Sequence, residues 1–179
     1  MATTIGPRHY TYADLDRVPA DLKRYEIIGG DLFVSPSPSV AHQEIVLRLG
    51  IQLSAFAGIS AGKAFVAPLD VVFADDDVVE PDVIFVGADR LGIIAEKNLR
   101  GAPSLVIEVL SPSSYDTDPG EKLALYARYG VPEYWIVDPR THTIVAHANP
   151  KDGHYLRHET AHSGCMPSLT LEGLTLTVL

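Results

Sequence analysis

Glu108 interrupts an otherwise apolar run, Ser104-Leu-Val-Ile-Glu-Val-Leu110, rich in β-branched residues. Such a run reads as a strand buried on both faces at the centre of a sheet. An ionised, unpaired carboxylate there would cost several kcal/mol. A cation, a metal or a proton must compensate it. Two more carboxylates lie in strand-like surroundings: Glu26 in Arg24-Tyr-Glu-Ile-Ile28, and Asp82 within Val78-Val-Glu-Pro-Asp-Val-Ile-Phe-Val86. Pro81 removes a ladder donor just before Asp82, so the sheet should bulge or lose pairing there. A break beside a carboxylate suits a site that needs an open coordination position. Lys122 lies about one turn into the helix expected after Glu108. If that helix packs back over the sheet, Lys122 reaches the end of the Glu108 strand, where it could neutralise a phosphate in a transition state or orient water. Carboxylates without His or Cys ligands suit Mg²⁺ or Mn²⁺ better than zinc.

The elements that must hold these groups follow from local signals. A short helix opens at Thr11, with Asp14 as its capping-box partner and Pro19 near its end. Gly29-Gly30 joins the strands Arg24–Ile28 and Asp31–Val34 as a two-residue hairpin. Val40 to Phe56 has Val46, Leu49, Leu53 and Phe56 at helical spacing. Lys63–Ala67, Leu69–Ala74 and Val78–Val86 read as successive strands, the last two separated by a solvated Asp75-Asp76-Asp77 turn. Gly87 to Pro103 is a connection with a short helical piece. Asp118-Pro-Gly-Glu121 starts a helix that runs to about Tyr129 and stops at Gly130. Tyr134–Val137 is a short apolar strand, and it completes a strand-helix-strand crossover with Leu105–Leu110. Thr143–Ala148, His154–His158 and Leu171–Leu179 finish the chain as strands. The pattern predicts an α/β fold with a mixed central sheet and a helix on each side.

At 179 residues the chain reads as one domain, 1–179, with room for a sizeable core. No stretch approaches the roughly 20 apolar residues of a membrane span. No signal-peptide pattern opens the chain, and the expected location is cytoplasmic. The single cysteine excludes an intramolecular disulfide and a cysteine zinc cluster. The formal net charge of -9 argues against avid nonspecific binding to nucleic acid. A local basic groove or a metal-bridged substrate remains compatible with it.

Pro81-Asp82, Glu108-Val-Leu110, the upstream Glu26 and the downstream Lys122 resemble the PD-(D/E)XK nuclease superfamily. More closely, the chain resembles the Uma-type family of restriction-endonuclease-like proteins. The matching stretches are Arg24-Tyr-Glu-Ile-Ile-Gly-Gly-Asp-Leu32, Ser35-Pro-Ser-Pro38 with His42, Pro68-Leu-Asp-Val71 and Glu80-Pro-Asp-Val-Ile-Phe-Val86. They continue through Gly101-Ala-Pro-Ser-Leu-Val-Ile-Glu-Val-Leu-Ser-Pro-Ser113, Glu121-Lys-Leu-Ala-Leu-Tyr-Ala127 and Gly130-Val-Pro-Glu-Tyr-Trp-Ile-Val-Asp138. The resemblance covers about residues 10–150. It implies a restriction-endonuclease-like fold and metal-assisted hydrolysis of DNA phosphodiester bonds. Asp82 and Glu108 would hold Mg²⁺ or Mn²⁺, with the Val109 backbone carbonyl as a further ligand and Glu26 completing the shell or positioning water. Lys122 would stabilise charge or position the nucleophile. The usual lysine position is Leu110 here, and some families place the lysine on the following helix instead.

Each residue also has a plainer reading. Glu108 could form a structural ion pair with Lys122 or an arginine, Asp82 could cap a turn, Lys122 could be solvated, and Glu26 could pair with Arg24 or Lys23 on an exposed hairpin. His42 faces the site or caps its helix. Asp70 and Glu80 support the site or lie on the surface. Tyr126 and Trp135 read as core aromatics, and His154 and His158 as surface residues. The alternative to a nuclease is a non-catalytic binding or interaction module on the same fold; a third reading is a hydrolase of phosphorylated metabolites. An exposed sheet or helix face could support a homodimer, in which two sites would cut both strands of a duplex.

Overall fold

The structure, a computed structural model, describes residues 3–4, 9–19, 21, 23–111 and 119–178. Leu105–Val109 is buried along its whole length. It lies inside a six-stranded mixed sheet, between Glu133–Asp138 and Val83–Val86. Only the pair with Glu133–Asp138 is parallel, and the helix Pro119–Arg128 connects those two strands in sequence. The expected strand-helix-strand unit is therefore present. Thr143–Lys151, His154–Ala161 and Lys63–Val66 complete this sheet.

Side chains alternate across a strand, and here the alternation divides the core. Leu105, Ile107 and Val109 pack with Ile45, Val46, Leu49 and Leu53 of the long helix Val40–Ser60. Val106 joins Leu125 and Tyr126 of Pro119–Arg128 on the opposite face. Each face thus carries one helix, and Glu108 shares the Val106 side. The long helix extends past Phe56 to Ser60, and the Ser39 hydroxyl caps its start by accepting from the His42 N–H. The Asp118 cap expected for the later helix lies outside the described residues. Thr11–Asp14 forms the expected capping box on a one-turn helix, Tyr12–Leu15.

A second six-stranded sheet stands beside the central one. It orders Thr3–Thr4, Asp31–Ser35, Arg24–Ile28, Asp77–Val79, Val71–Ala74 and Leu99–Arg100. The stretch expected as one strand, Val78–Val86, divides between the two sheets as Asp77–Val79 and Val83–Val86. Pro81 has no N–H for a ladder, and the chain crosses from one sheet to the other at Glu80-Pro81-Asp82. Asp82 therefore sits at the junction of the sheets. The hairpin glycines adopt φ of 59° and 82°, the left-handed pair that a tight two-residue turn requires.

Two local expectations are corrected. Asp77 is buried rather than solvated: it accepts from the Gly29 N–H, Arg128 and the Tyr129 hydroxyl at 2.8, 2.8 and 2.6 Å. The C-terminal segment forms a small hairpin, Cys165–Pro167 with Thr175–Thr177, instead of one strand over Leu171–Leu179. Between those strands, Ser168, Leu169 and Thr170 hydrogen-bond to the fully buried Glu133. No helix among the described residues is long and apolar enough to cross a membrane.

Candidate active site

Glu26, Asp82, Glu108, Val109 and Lys122 line one cavity of about 410 Å³. They come from four places: the hairpin strand of the second sheet, the crossing at Pro81, the central strand and the helix after it. The cavity thus opens where the two sheets meet. The three carboxylate side chains are 6, 2 and 11 % exposed, in chain order.

Lys122 joins two of them. Its Nζ donates to Glu26 Oε1 and to Glu108 Oε1, both at 2.8 Å. Tyr126, one turn further along, donates its hydroxyl to the same Glu108 oxygen at 2.8 Å. Glu26 also accepts the Glu80 N–H at 2.9 Å. It thus pairs with Lys122 rather than with Arg24 or Lys23. Burial opposes charging of Lys122, but Glu108 and Glu26 outweigh it and hold the ammonium above the ordinary lysine range. Burial pushes the Glu108 carboxyl up, with Asp82 and Glu26 adding to the rise and Lys122 opposing it. The Tyr126 hydroxyl, buried beside Glu108, stays protonated well above its usual range.

Asp82 is held separately. Arg24 Nη2 donates to Oδ1 at 2.7 Å. Oδ2 meets His42 Nε2 at 3.1 Å and the Val109 N–H at 2.8 Å. Burial would raise this carboxyl, yet the bond to His42, the Arg24 charge and the Val109 N–H together bring it down to about 2. Arg24 also binds Glu80, with Nε 3.0 Å from Oε1. Two neighbouring carboxylates are thereby pushed apart in acidity, an arrangement typical of sites that divide acid and base roles.

Arg24 is the participant that the sequence reading missed. It sits two residues before Glu26, and alternation places both on one strand face; that spacing was the available signal. His42 faces the cavity, and its Nδ1 is buried without a hydrogen-bond partner. Glu80 lines the cavity, whereas Asp70 does not. Leu110 lines it without supplying a charge, and Lys122 brings the ammonium from the helix. Trp135 is core, as expected, and His154 and His158 are exposed.

The cavity wall carries six carboxylates, Asp21, Glu26, Glu80, Asp82, Glu108 and Glu121, against three fixed cations, Lys23, Arg24 and Lys122. Asp21, Lys23 and Glu121 lie on its exposed rim, and the buried and half-buried part still sets Glu26, Glu80, Asp82 and Glu108 against Arg24 and Lys122. That excess of negative charge favours a further cation, and all these donors are hard oxygens. Among the described residues, no three His, Cys, Asp or Glu side chains are spaced to grip one metal ion with the side chains as they stand. Lys122 occupies the point between Glu26 and Glu108.

The profile of the Uma2 family, described as "Putative restriction endonuclease", matches residues 12–179. Among solved structures, the chain is similar to a crystal structure described as "a putative nuclease belonging to DUF820" from Anabaena variabilis ATCC 29413. The two share 20% sequence identity over 94% of each chain, with a TM-score of 0.75. This likeness shows a shared fold. No curated protein matches the chain.

Proposed function

The chain belongs to the Uma2 family, and from that premise we propose that it is a divalent-metal-dependent endonuclease that hydrolyses DNA phosphodiester bonds in the Glu26–Asp82–Glu108–Lys122 cavity. One observation carries this reading: three buried carboxylates from two sheets converge with one ammonium in a cavity whose wall is rich in negative charge. Asp82 and Glu108, with Glu26 and the Val109 carbonyl, would hold Mg²⁺ or Mn²⁺. When bound, the ion polarises the phosphate and makes water a better nucleophile near neutral pH.

The protein's own groups prepare the rest. Arg24, His42 and the Val109 N–H keep Asp82 ionised at any working pH and fix its orientation. Burial makes the Glu108 carboxylate more basic, which suits it to take a proton from the attacking water. The Lys122 ammonium can move from the two glutamates to the phosphate, where it stabilises the added negative charge. Water adds to phosphorus, the P–O bond to the leaving strand breaks, and the leaving oxygen takes up a proton. The test is nicking of plasmid DNA in Mg²⁺ or Mn²⁺. Loss of cutting in Glu108→Gln supports the reading; equal trace activity in both proteins removes it.

A second reading, a non-catalytic binding module, draws on the contacts as they stand. Both Asp82 oxygens are already engaged, and Lys122 holds an oxygen of each glutamate. Titration calorimetry with Mn²⁺ separates the two. Binding that Asp82→Ala abolishes favours the nuclease; absence of binding together with absence of cutting favours the module.

A further inference from the structure

We propose that the cavity accepts one unpaired nucleotide of a single DNA strand, its base stacked on Phe33; the inference rests on the nuclease reading and names its substrate class. Phe33 is the direct antiparallel partner of Glu26. Partners in register project their side chains to the same face, with Cβ atoms about 5 Å apart. The ring therefore stands beside the carboxylate that binds Lys122, and it lines the same cavity.

Phe33 is half-buried, yet it joins none of the three hydrophobic cores of the described residues. No ring contact engages it there, whereas Phe56, Phe73 and Phe85 each pair with another ring. A large apolar ring left on a cavity wall is the platform that unpaired bases use, because every base has a stacking face. A phosphate at Lys122 and a base at Phe33 would place one nucleotide in the cavity that both residues line. The cavity, at about 410 Å³, is in the range of a small-molecule site.

Burial of the carboxylates argues for a flexible strand. Their side chains are at most 11 % exposed, so a phosphate must descend between the sheets to reach them. A single strand can bend a phosphate inward; a duplex holds its phosphates on a stiff rod. A duplex also needs several phosphates neutralised at once, which a chain of net charge -9 is poorly equipped to do. One strand needs one cavity, so this substrate removes the need for a homodimer.

The test uses Glu108→Gln protein in Mg²⁺ and a single-stranded 12-mer carrying 2-aminopurine, whose fluorescence falls on stacking. The expected result is binding with quenching, weakened about tenfold by adding Phe33→Ala or Phe33→Leu and retained by Phe33→Trp. The duplex of the same sequence should bind more weakly. Unchanged affinity in Phe33→Leu, absence of 12-mer binding, or tighter binding of the duplex overturns the proposal. Thermal melting of each variant identifies any that fails to fold, and Phe33→Leu keeps the apolar bulk if Phe33→Ala does. Cleavage of the same 12-mer by the unsubstituted protein is scored separately, so the nuclease reading can fail while the stacking result stands.

Discussion

Lys122 Nζ lies 2.8 Å from Glu108 Oε1, although one residue belongs to a helix and the other to the central strand that precedes it. The bond answers the energetic problem that Glu108 poses. The same ammonium reaches Glu26 on the neighbouring sheet, so one cation offsets two buried carboxylates and ties both layers to the helix.

Removing that cation should cost more than any single contact suggests. Lys122→Met leaves Glu26 and Glu108 without the ammonium between them, with only the Glu80 N–H on one and the Tyr126 hydroxyl on the other. Breaking a buried pair in this way typically costs about 3–5 kcal/mol. Urea unfolding, followed by the fluorescence of the sole tryptophan, Trp135, should show that loss. Adding Glu108→Gln should restore part of it, because one of the stranded charges is then gone. A loss in Lys122→Met under about 1 kcal/mol would match an exposed ion pair instead.

Asp82 should govern stability in acid. Its folded value, near 2, lies below the ordinary 3.8. A carboxyl lowered on folding stabilises the protein above its unfolded value, and the contribution disappears as pH falls through the folded value. The window is therefore about pH 4 down to 2, and the contribution is about 2 kcal/mol. Melting temperature against pH should fall across that window and flatten in Asp82→Asn. An unchanged slope in the variant would assign the acid sensitivity to other groups.

Glu133 should prove structural. It is fully buried and accepts from Trp135 Nε1, the Ser168 and Thr170 hydroxyls, and the Leu169 and Thr170 N–H groups. Glu133→Ala strands the buried Trp135 N–H, at about 1–3 kcal/mol, and should release the loop between the C-terminal strands, whose part-buried hydrogen bonds to Glu133 are lost. Trp135 emission should shift as its N–H loses a partner. Nuclease activity below the melting temperature should be retained, because Glu133 does not line the cavity. A selective loss of turnover in a folded variant would overturn that assignment.

Much of this arrangement was legible in the sequence. Glu108 stood out because an apolar run makes one carboxylate conspicuous, and Lys122 followed from a helix whose start fixed its distance from the strand. The hairpin at Gly29-Gly30 was equally local. The second sheet was not legible. Val78–Val86 has the same apolar character on both sides of Pro81, and composition does not reveal that its halves pair with different partners. Arg24 escaped for a related reason: its bond to Asp82 spans 58 residues, and its spacing from Glu26 places it on the same strand face without naming Asp82 as its partner. Asp77 looked solvated among three aspartates because its donors, Gly29, Arg128 and Tyr129, come from distant segments.

The most direct test of the central claim is Mg²⁺-dependent cutting of a circular single-stranded DNA and a supercoiled plasmid by highly purified protein, beside Glu108→Gln prepared identically. The account predicts that the unsubstituted protein linearises or nicks the DNA, that chelation of the metal stops it, and that Glu108→Gln cuts at least about 100-fold more slowly, the scale of a lost catalytic proton transfer. Equal rates in the two proteins, or cutting that persists after chelation, would contradict it.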